Sequence, residues 1–354
     1  MAEVHFASDN NAGVHPRILE AVASANAGHV PSYGDDAYSQ RAEAAFARLL
    51  GDQARVFFAF NGTGANVVAL ASALRPYQAV ICPAAAHLDA DECGAFERFV
   101  GGKLLTVATT GGKLTPDDVE RHIRGVGDQH HIQPGAISIS QSTEVGTVYA
   151  LDELRALGTV ARKHGLLFHV DGARLSNALA SLGADPRAML VDTGIDVCTF
   201  GGTKNGLMFG EAIVFPKPHP AADALAFTRK QGMQLTSKMR FVAAQFEALI
   251  DTGLWLENAQ HANAMAQLLA ARLRDLDDVV QLAYPVEANA VFPVLPHHAI
   301  EPLQAVRRFY MWDAERDVAR WMTAWDTTPA DVHAFADAVW RIAAPQKSIA
   351  ATTV

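Results

Sequence analysis

The chain has 354 residues, half of them hydrophobic and 19% charged, a length that accommodates one large domain and one smaller one. No run approaches the ~20 apolar residues of a membrane span, which sets a membrane partner aside. The formal net charge is −9 without a long basic run, which sets nucleic acid aside and leaves room for a small anionic ligand where basic groups cluster.

In chain order, helices are expected at 15–25, with Pro16 near the start, and at 39–51, stopped by Gly51. A buried strand at 55–60 runs into the turn and helix of 61–74. Strands follow at 78–83 and 103–108, then a helix at 114–125 with Thr115 as cap and Pro116 at its first position. The pattern continues with a strand at 135–142, a helix at 152–165, and strands at 166–172, 196–202 and 210–216. These strands are apolar throughout rather than alternating, which predicts an α/β fold with a mostly parallel sheet covered on both faces. The tail differs: long helical patterns at 236–250 and 258–276, strand-like runs at 289–295, 308–312 and 320–325, and a last helix at 329–343. That order predicts a smaller C-terminal α+β domain, with the large domain at 1–255 and the small one at 256–354. The N-terminus MAEVHFASDNN has no secretory pattern. Cys82, Cys93 and Cys198 lack CxxC spacing, so reduced thiols in a cytoplasmic protein and no metal site are expected.

The chemistry centres on Lys204, in FGGTKNG at 200–206, straight after a buried-looking strand. A loop lysine is often only solvated. Here the glycines would let the backbone approach a ligand, and an amine in an apolar pocket becomes a nucleophile suited to a Schiff base. Asp171 ends the preceding strand, in FHVDGARLSNA; it could cap the next helix, although Ser176 is better placed for that. A carboxylate at the C-terminal end of a strand faces the ligand crevice of an α/β sheet. Aspartate and lysine on successive strands suit pyridoxal phosphate, whose ring nitrogen needs an acid beside it.

Further candidates support that cofactor. In FNGTGAN the Gly62–Thr63 turn opens a helix, whose free amides make an anion site, and Thr203 could add a hydroxyl. It is neither a Walker loop nor a dinucleotide fingerprint. His87 follows a strand and could stack on a ring and exchange protons, or be a structural histidine. His130 and His131 precede another strand; either could reach the site as a base, or both could be solvated. Arg174 lies three residues after Asp171, and Arg320 opens a small-domain strand. A guanidinium from each would clamp an amino-acid carboxylate, unless Arg320 is an ordinary surface residue.

The order and spacing of FASDNNAGVHP (6–16), SYGDD (32–36), FNGTGAN, AAHLDADECGA (85–95), SQSTEVGTVY (140–149), HVDGARLSNA (169–178), FGGTKNG and SKMRF (237–241) resemble low-specificity L-threonine aldolases. These are fold-type I pyridoxal-phosphate enzymes of the beta-eliminating lyase group. The resemblance implies that Lys204 holds the cofactor as a Schiff base, Asp171 pairs with its pyridine nitrogen and His87 stacks on the ring. It implies phosphate contacts from Gly62, Thr63 and Lys238, the last from a neighbouring subunit, and a substrate carboxylate held by Ser8, Arg174 and Arg320. Tyr33 would arrive from a partner chain, and His130 would be the second histidine, with His131 as the fallback. Two departures stand out. Many members carry Glu-Asn-Thr-His where this chain has QSTEVG, which leaves the bonding of Gln141 and Glu144 open, and a serine where this chain has Thr203. The implied reaction is reversible retro-aldol cleavage of L-threonine and related L-β-hydroxy amino acids, phenylserine among them, to glycine and an aldehyde, with His87, His130 or a water as base. The implied assembly is a homodimer paired into a tetramer. The rivals are another fold-type I enzyme, such as a β-eliminating lyase or an aminotransferase, and a non-catalytic protein on the same fold.

Overall fold

A computed structural model describes residues 4–276 and 279–343. Seven strands form the main sheet: β1 (Arg55–Ala59), β2 (Gln78–Pro83), β3 (Lys103–Val107), β4 (Gln133–Ser140), β5 (Leu167–Gly172), β6 (Val197–Gly201) and β7 (Glu211–Phe215). Their order is β1-β7-β6-β5-β4-β2-β3, with every neighbouring pair parallel except the two that β7 makes. Successive side chains of a strand leave opposite faces, and both faces are buried. Ala212 and Val214 of β7 join one core with Phe46, Phe168 and Phe246, while Ile213 and Phe215 join another with Leu70, Phe96 and Leu225. That double burial is why the strands read as continuous apolar runs.

This topology positions the site. The parallel strands β1, β2, β4, β5 and β6 end at one edge of the sheet. The antiparallel β7 begins there, so its first residue, Glu211, joins the residues that follow the other strands.

A second, antiparallel sheet contains β8 (Gln281–Leu282), β9 (Ala290–Val291), β10 (Pro293–Val294), β11 (Tyr310–Asp313) and β12 (Val318–Met322). Its core holds Phe309, Trp321 and Phe335, and Phe6 stacks on Phe335 with ring centroids 4.6 Å apart. Phe6 also donates its amide to the Arg308 carbonyl (3.0 Å) and accepts from the Met322 amide (2.9 Å), which ties the N-terminal segment to this sheet. The helix Leu254–Leu273 lies between the two regions, with Leu254 and Trp255 in the large core and Leu269 and Leu273 in the small one.

The structure differs from the sequence reading at several elements. The strand expected at 289–295 is split into β9 and β10 beside Pro293, which has no amide to give a ladder. Helices Pro220–Gln231 and His297–Val306 were not anticipated. The first begins among prolines, with His219 Nδ1 accepting the Ala221 amide, and the second contains Pro302; both read as breakers in sequence.

Candidate active site

The strand ends surround a cleft of about 750 Å³ that opens to solvent. Lys204 stands in the turn Thr203–Asn205 directly after β6, and Asp171 lies one strand over on β5; both line the cleft. The glycines before the lysine, expected to give a ligand room, have a packing role that the sequence did not suggest. A Cβ on Gly201 would lie 2.2 Å from the Ala173 carbonyl oxygen, and one on Gly202 would lie 2.6 Å from that of Gly210. They let two backbones meet, and so fix where the lysine starts. Glu211 accepts the Gly202 amide at 3.1 Å, and Thr203 Oγ1 accepts the Gly210 amide at 3.1 Å. Burial pushes the Glu211 carboxyl up to about 7, against the pull of the Thr203 hydroxyl and the Lys204 charge.

Asp171 is buried, and burial alone would raise its carboxyl. The Ala173 amide at 2.9 Å, the charges of Lys204 and His87 and the Asn66 amide at 2.8 Å outweigh burial and hold it below the usual carboxylate range. Asn66 also bonds Glu92 Oε1 (3.1 Å) and accepts from Thr199 (3.1 Å). Glu92 Oε1 lies 3.0 Å from His87 Nδ1; that bond, then the charges of Asp171 and Glu144, raise the imidazole above its ordinary value against burial. The helix Gly62–Ala73 is capped by Asn61, whose Oδ1 accepts the Gly64 amide at 2.8 Å, and Gly62 and Thr63 at its N-terminus line the cleft. A protonated ring nitrogen would therefore find Asp171, a phosphate would find helix amides at the positive end of a dipole, and an aldehyde would find Lys204.

The basic groups lie beside these. Asp9 holds Arg174 with bonds of 2.7 Å to Nε and 2.9 Å to Nη2. Arg320 follows on β12, facing Tyr310, Trp312 and Asp91 in an adjoining hollow. Its Nε is buried without a hydrogen-bond partner. Burial and the like charge of Arg174 lower its guanidinium, while Asp9 and Glu144 draw it back.

Lys204, His87, Asp171, Gly62, Thr63, Arg174 and Thr203 are thus brought together as the sequence predicted. His130 is not. Its loop enters β4 at Gln133, whereas the cleft receives the other end of that strand at Ser140, and seven residues of rise put the two ends about 23 Å apart. The His130 amide bonds Asp128, and the His131 ring bonds Asp128 as well, so the fallback also lies away from the cleft. Ser8 does not line the cleft either; its Oγ accepts the Asn10 amide and caps the turn Asp9–Asn11. Tyr33 and Lys238 are exposed outside their own chain's cleft.

Sequence reasoning missed Asp9, Asn61, Asn66, Glu92 and Glu211 and left Glu144 without a role. Asn66 had a signal, since it lies one helical turn after Gly62 and so shares its face. Asp9 had none, because its partner Arg174 comes from a distant segment. Glu211 follows Lys204 closely in the chain, but the reversal that brings them together, β7 running back against β6, is not written in an apolar run.

The beta-eliminating lyase family model matches residues 5–296. A low specificity L-threonine aldolase of Pseudomonas sp. (strain NCIMB 10558) is 45% identical over 333 residues, covering 94% of this chain and 95% of that protein. A Pseudomonas aeruginosa protein of the same name is 46% identical, covering 91% and 93%. The solved structure of a threonine aldolase from Leishmania major superposes with a TM-score of 0.88 at 34% identity, covering 96% of this chain and 99% of that one. With the sheet order and cleft described above, the chain has the fold of fold-type I pyridoxal-phosphate enzymes and belongs to the beta-eliminating lyase family.

Proposed function

We propose that this chain is a low-specificity L-threonine aldolase that holds pyridoxal phosphate on Lys204. It cleaves L-threonine, L-allo-threonine and bulkier L-β-hydroxy amino acids to glycine and an aldehyde, reversibly. The observation that carries the reading is the pairing of Lys204 with an ionised, buried Asp171 at adjacent strand ends in one cleft. The names of the bacterial relatives support the substrate class.

The donor set fits the cofactor, which when bound supplies an electron sink for the Cα–Cβ bonding pair. Asp171 would keep a proton at its ring nitrogen. The Gly62 and Thr63 amides would hold its phosphate, with Thr203 beside them. His87, fixed by Glu92, would cover one face of the ring. Arg320, with its unpartnered Nε, and Arg174 would hold the substrate carboxylate, and so orient the bond that breaks. A group in the cleft must take the β-hydroxyl proton, and a proton delivered to Cα completes glycine.

Tyr33 and Lys238 belong to this reading as residues supplied across a homodimer, itself paired into a tetramer. An exposed apolar face supports this. Phe60 and Met233 are exposed, and both adjoin Gln234, the first through its amide, which Gln234 Oε1 accepts, and the second as its chain neighbour; Tyr33 donates its amide to the Ser237 carbonyl in the same segment. The same reading divides the chain at residue 255 and puts the protein in the cytoplasm. Cys82, Cys93 and Cys198 are free, and no helix among the described residues is long and apolar enough to cross a membrane.

Borohydride reduction of the cofactor-loaded protein, followed by peptide mass analysis, tests the anchor. The label should sit on Lys204, and Lys204→Ala should lose both label and threonine cleavage; a label on another lysine would overturn the assignment.

A further inference from the structure

Resting on the aldolase reading, we infer that the Glu144 carboxylate is the base that takes the β-hydroxyl proton of the substrate. Glu144 follows β4 into the cleft and is only partly buried. Its hydrogen bonds, from the Ser140 hydroxyl at 2.8 Å and the His87 amide at 3.3 Å, both go to Oε1. They fix the carboxylate beside His87 and leave Oε2 for a ligand. Its charge is felt by His87, Arg174 and Arg320, so it stands on the side where the substrate carboxylate is held.

The other cleft groups are committed elsewhere. Asp171 takes one bond on each oxygen, from Asn66 and the Ala173 amide, and its remaining capacity serves the ring nitrogen. Glu92 is tied through Oε1 to His87 and Asn66, and its Oε2, without a partner, is shut away from solvent by complete burial of the side chain. Glu211 is tied to the Gly202 amide. His87 has its Nδ1 taken up by Glu92 Oε1 at 3.0 Å, and its ring is assigned to the cofactor face. His130 of the same chain is at the far end of β4.

In the step, the substrate O–H bond breaks and its proton passes to Glu144. The oxygen pair forms the aldehyde C=O, the Cα–Cβ bond breaks, and its pair stays with Cα, which later takes a proton to give glycine. In the synthetic direction Glu144 returns the proton to the new hydroxyl. Glycine has no hydroxyl, so binding and α-hydrogen exchange of glycine do not need Glu144.

The test compares wild-type and Glu144→Gln holoenzyme. Cleavage of L-threonine should fall by ~10²–10⁴-fold in kcat, the range of general-base help. Glycine binding, read from cofactor absorbance, and exchange of the glycine α-hydrogen in D2O, read by NMR, should be unchanged. Glu144→Asp, which keeps a carboxylate, should recover part of the cleavage rate. The inference is overturned if Glu144→Gln cleaves threonine at the wild-type rate, or if glycine binding and exchange fall in step with cleavage, which marks a structural role. A wild-type holoenzyme that exchanges glycine but cleaves no β-hydroxy amino acid overturns the aldolase reading, and the inference with it.

Discussion

Lys204 stands among acids: Asp9, Asp171 and Glu211 are all close enough to feel its charge. Glu211 is the least comfortable of them. Its carboxyl sits near 7 in the folded chain against 4.5 when exposed. Between those values the folded state keeps a proton that the unfolded state has released. Stability therefore falls as pH rises through that window and stays reduced above it. Glu211→Gln retains an oxygen for the Gly202 amide and removes the titration. Chemical denaturation of the cofactor-free variant should show a weaker pH dependence between 4.5 and 7, and above that window a gain on the order of 3 kcal/mol. At this scale the sequence revealed residues whose chemistry is carried by local motifs, such as Lys204 after FGG or Asp171 before GAR. It concealed Glu211 and Asp9, whose meaning depends on what folds against them.

Among the elements, β7 decides the shape of the site. Its strand character was legible in GEAIVFP, but its direction was not, because an apolar run reads the same both ways. Antiparallel insertion between β1 and β6 pairs Gly201 with Glu211 and places a carboxylate under the lysine turn. The close approach that Gly201 permits, between β6 and the backbone at Ala173, is the counterpart on the other side. Gly201→Ala should cost about 3 kcal/mol or more, since its methyl would meet backbone rather than a movable side chain. Denaturant midpoints of the variant would check this, and an unchanged midpoint would mean that β6 can shift without loss. The misplacement of His130 has the same origin. Its motif was read as near a strand, but which end of β4 faces the cleft is a property of the parallel sheet.

Across the whole molecule, the N-terminal segment joins the two regions. Asp9 bonds Arg174 of the large sheet's crevice and Asn289 beside the small sheet, while Phe6 fills the small core. Segments some 280 residues apart are thus tied together beside Arg174 of the cleft, which no local pattern announces. The proposed dimer gives a further test. If Tyr33 serves the partner's cleft, Tyr33→Ala and Lys204→Ala chains refolded together in equal amounts should regain about a quarter of wild-type activity, because half of the dimers are mixed and one site in each is intact. No recovery would mean that Tyr33 serves its own chain, and a Tyr33→Ala chain active by itself would mean that it serves neither. The central claim is tested most directly by supplying L-threonine to the cofactor-loaded protein and identifying both products by NMR. The account predicts glycine and acetaldehyde in equal amounts, with neither formed by Lys204→Ala. A 2-oxo acid with ammonia, or an amino-group transfer, in place of glycine and aldehyde would contradict it.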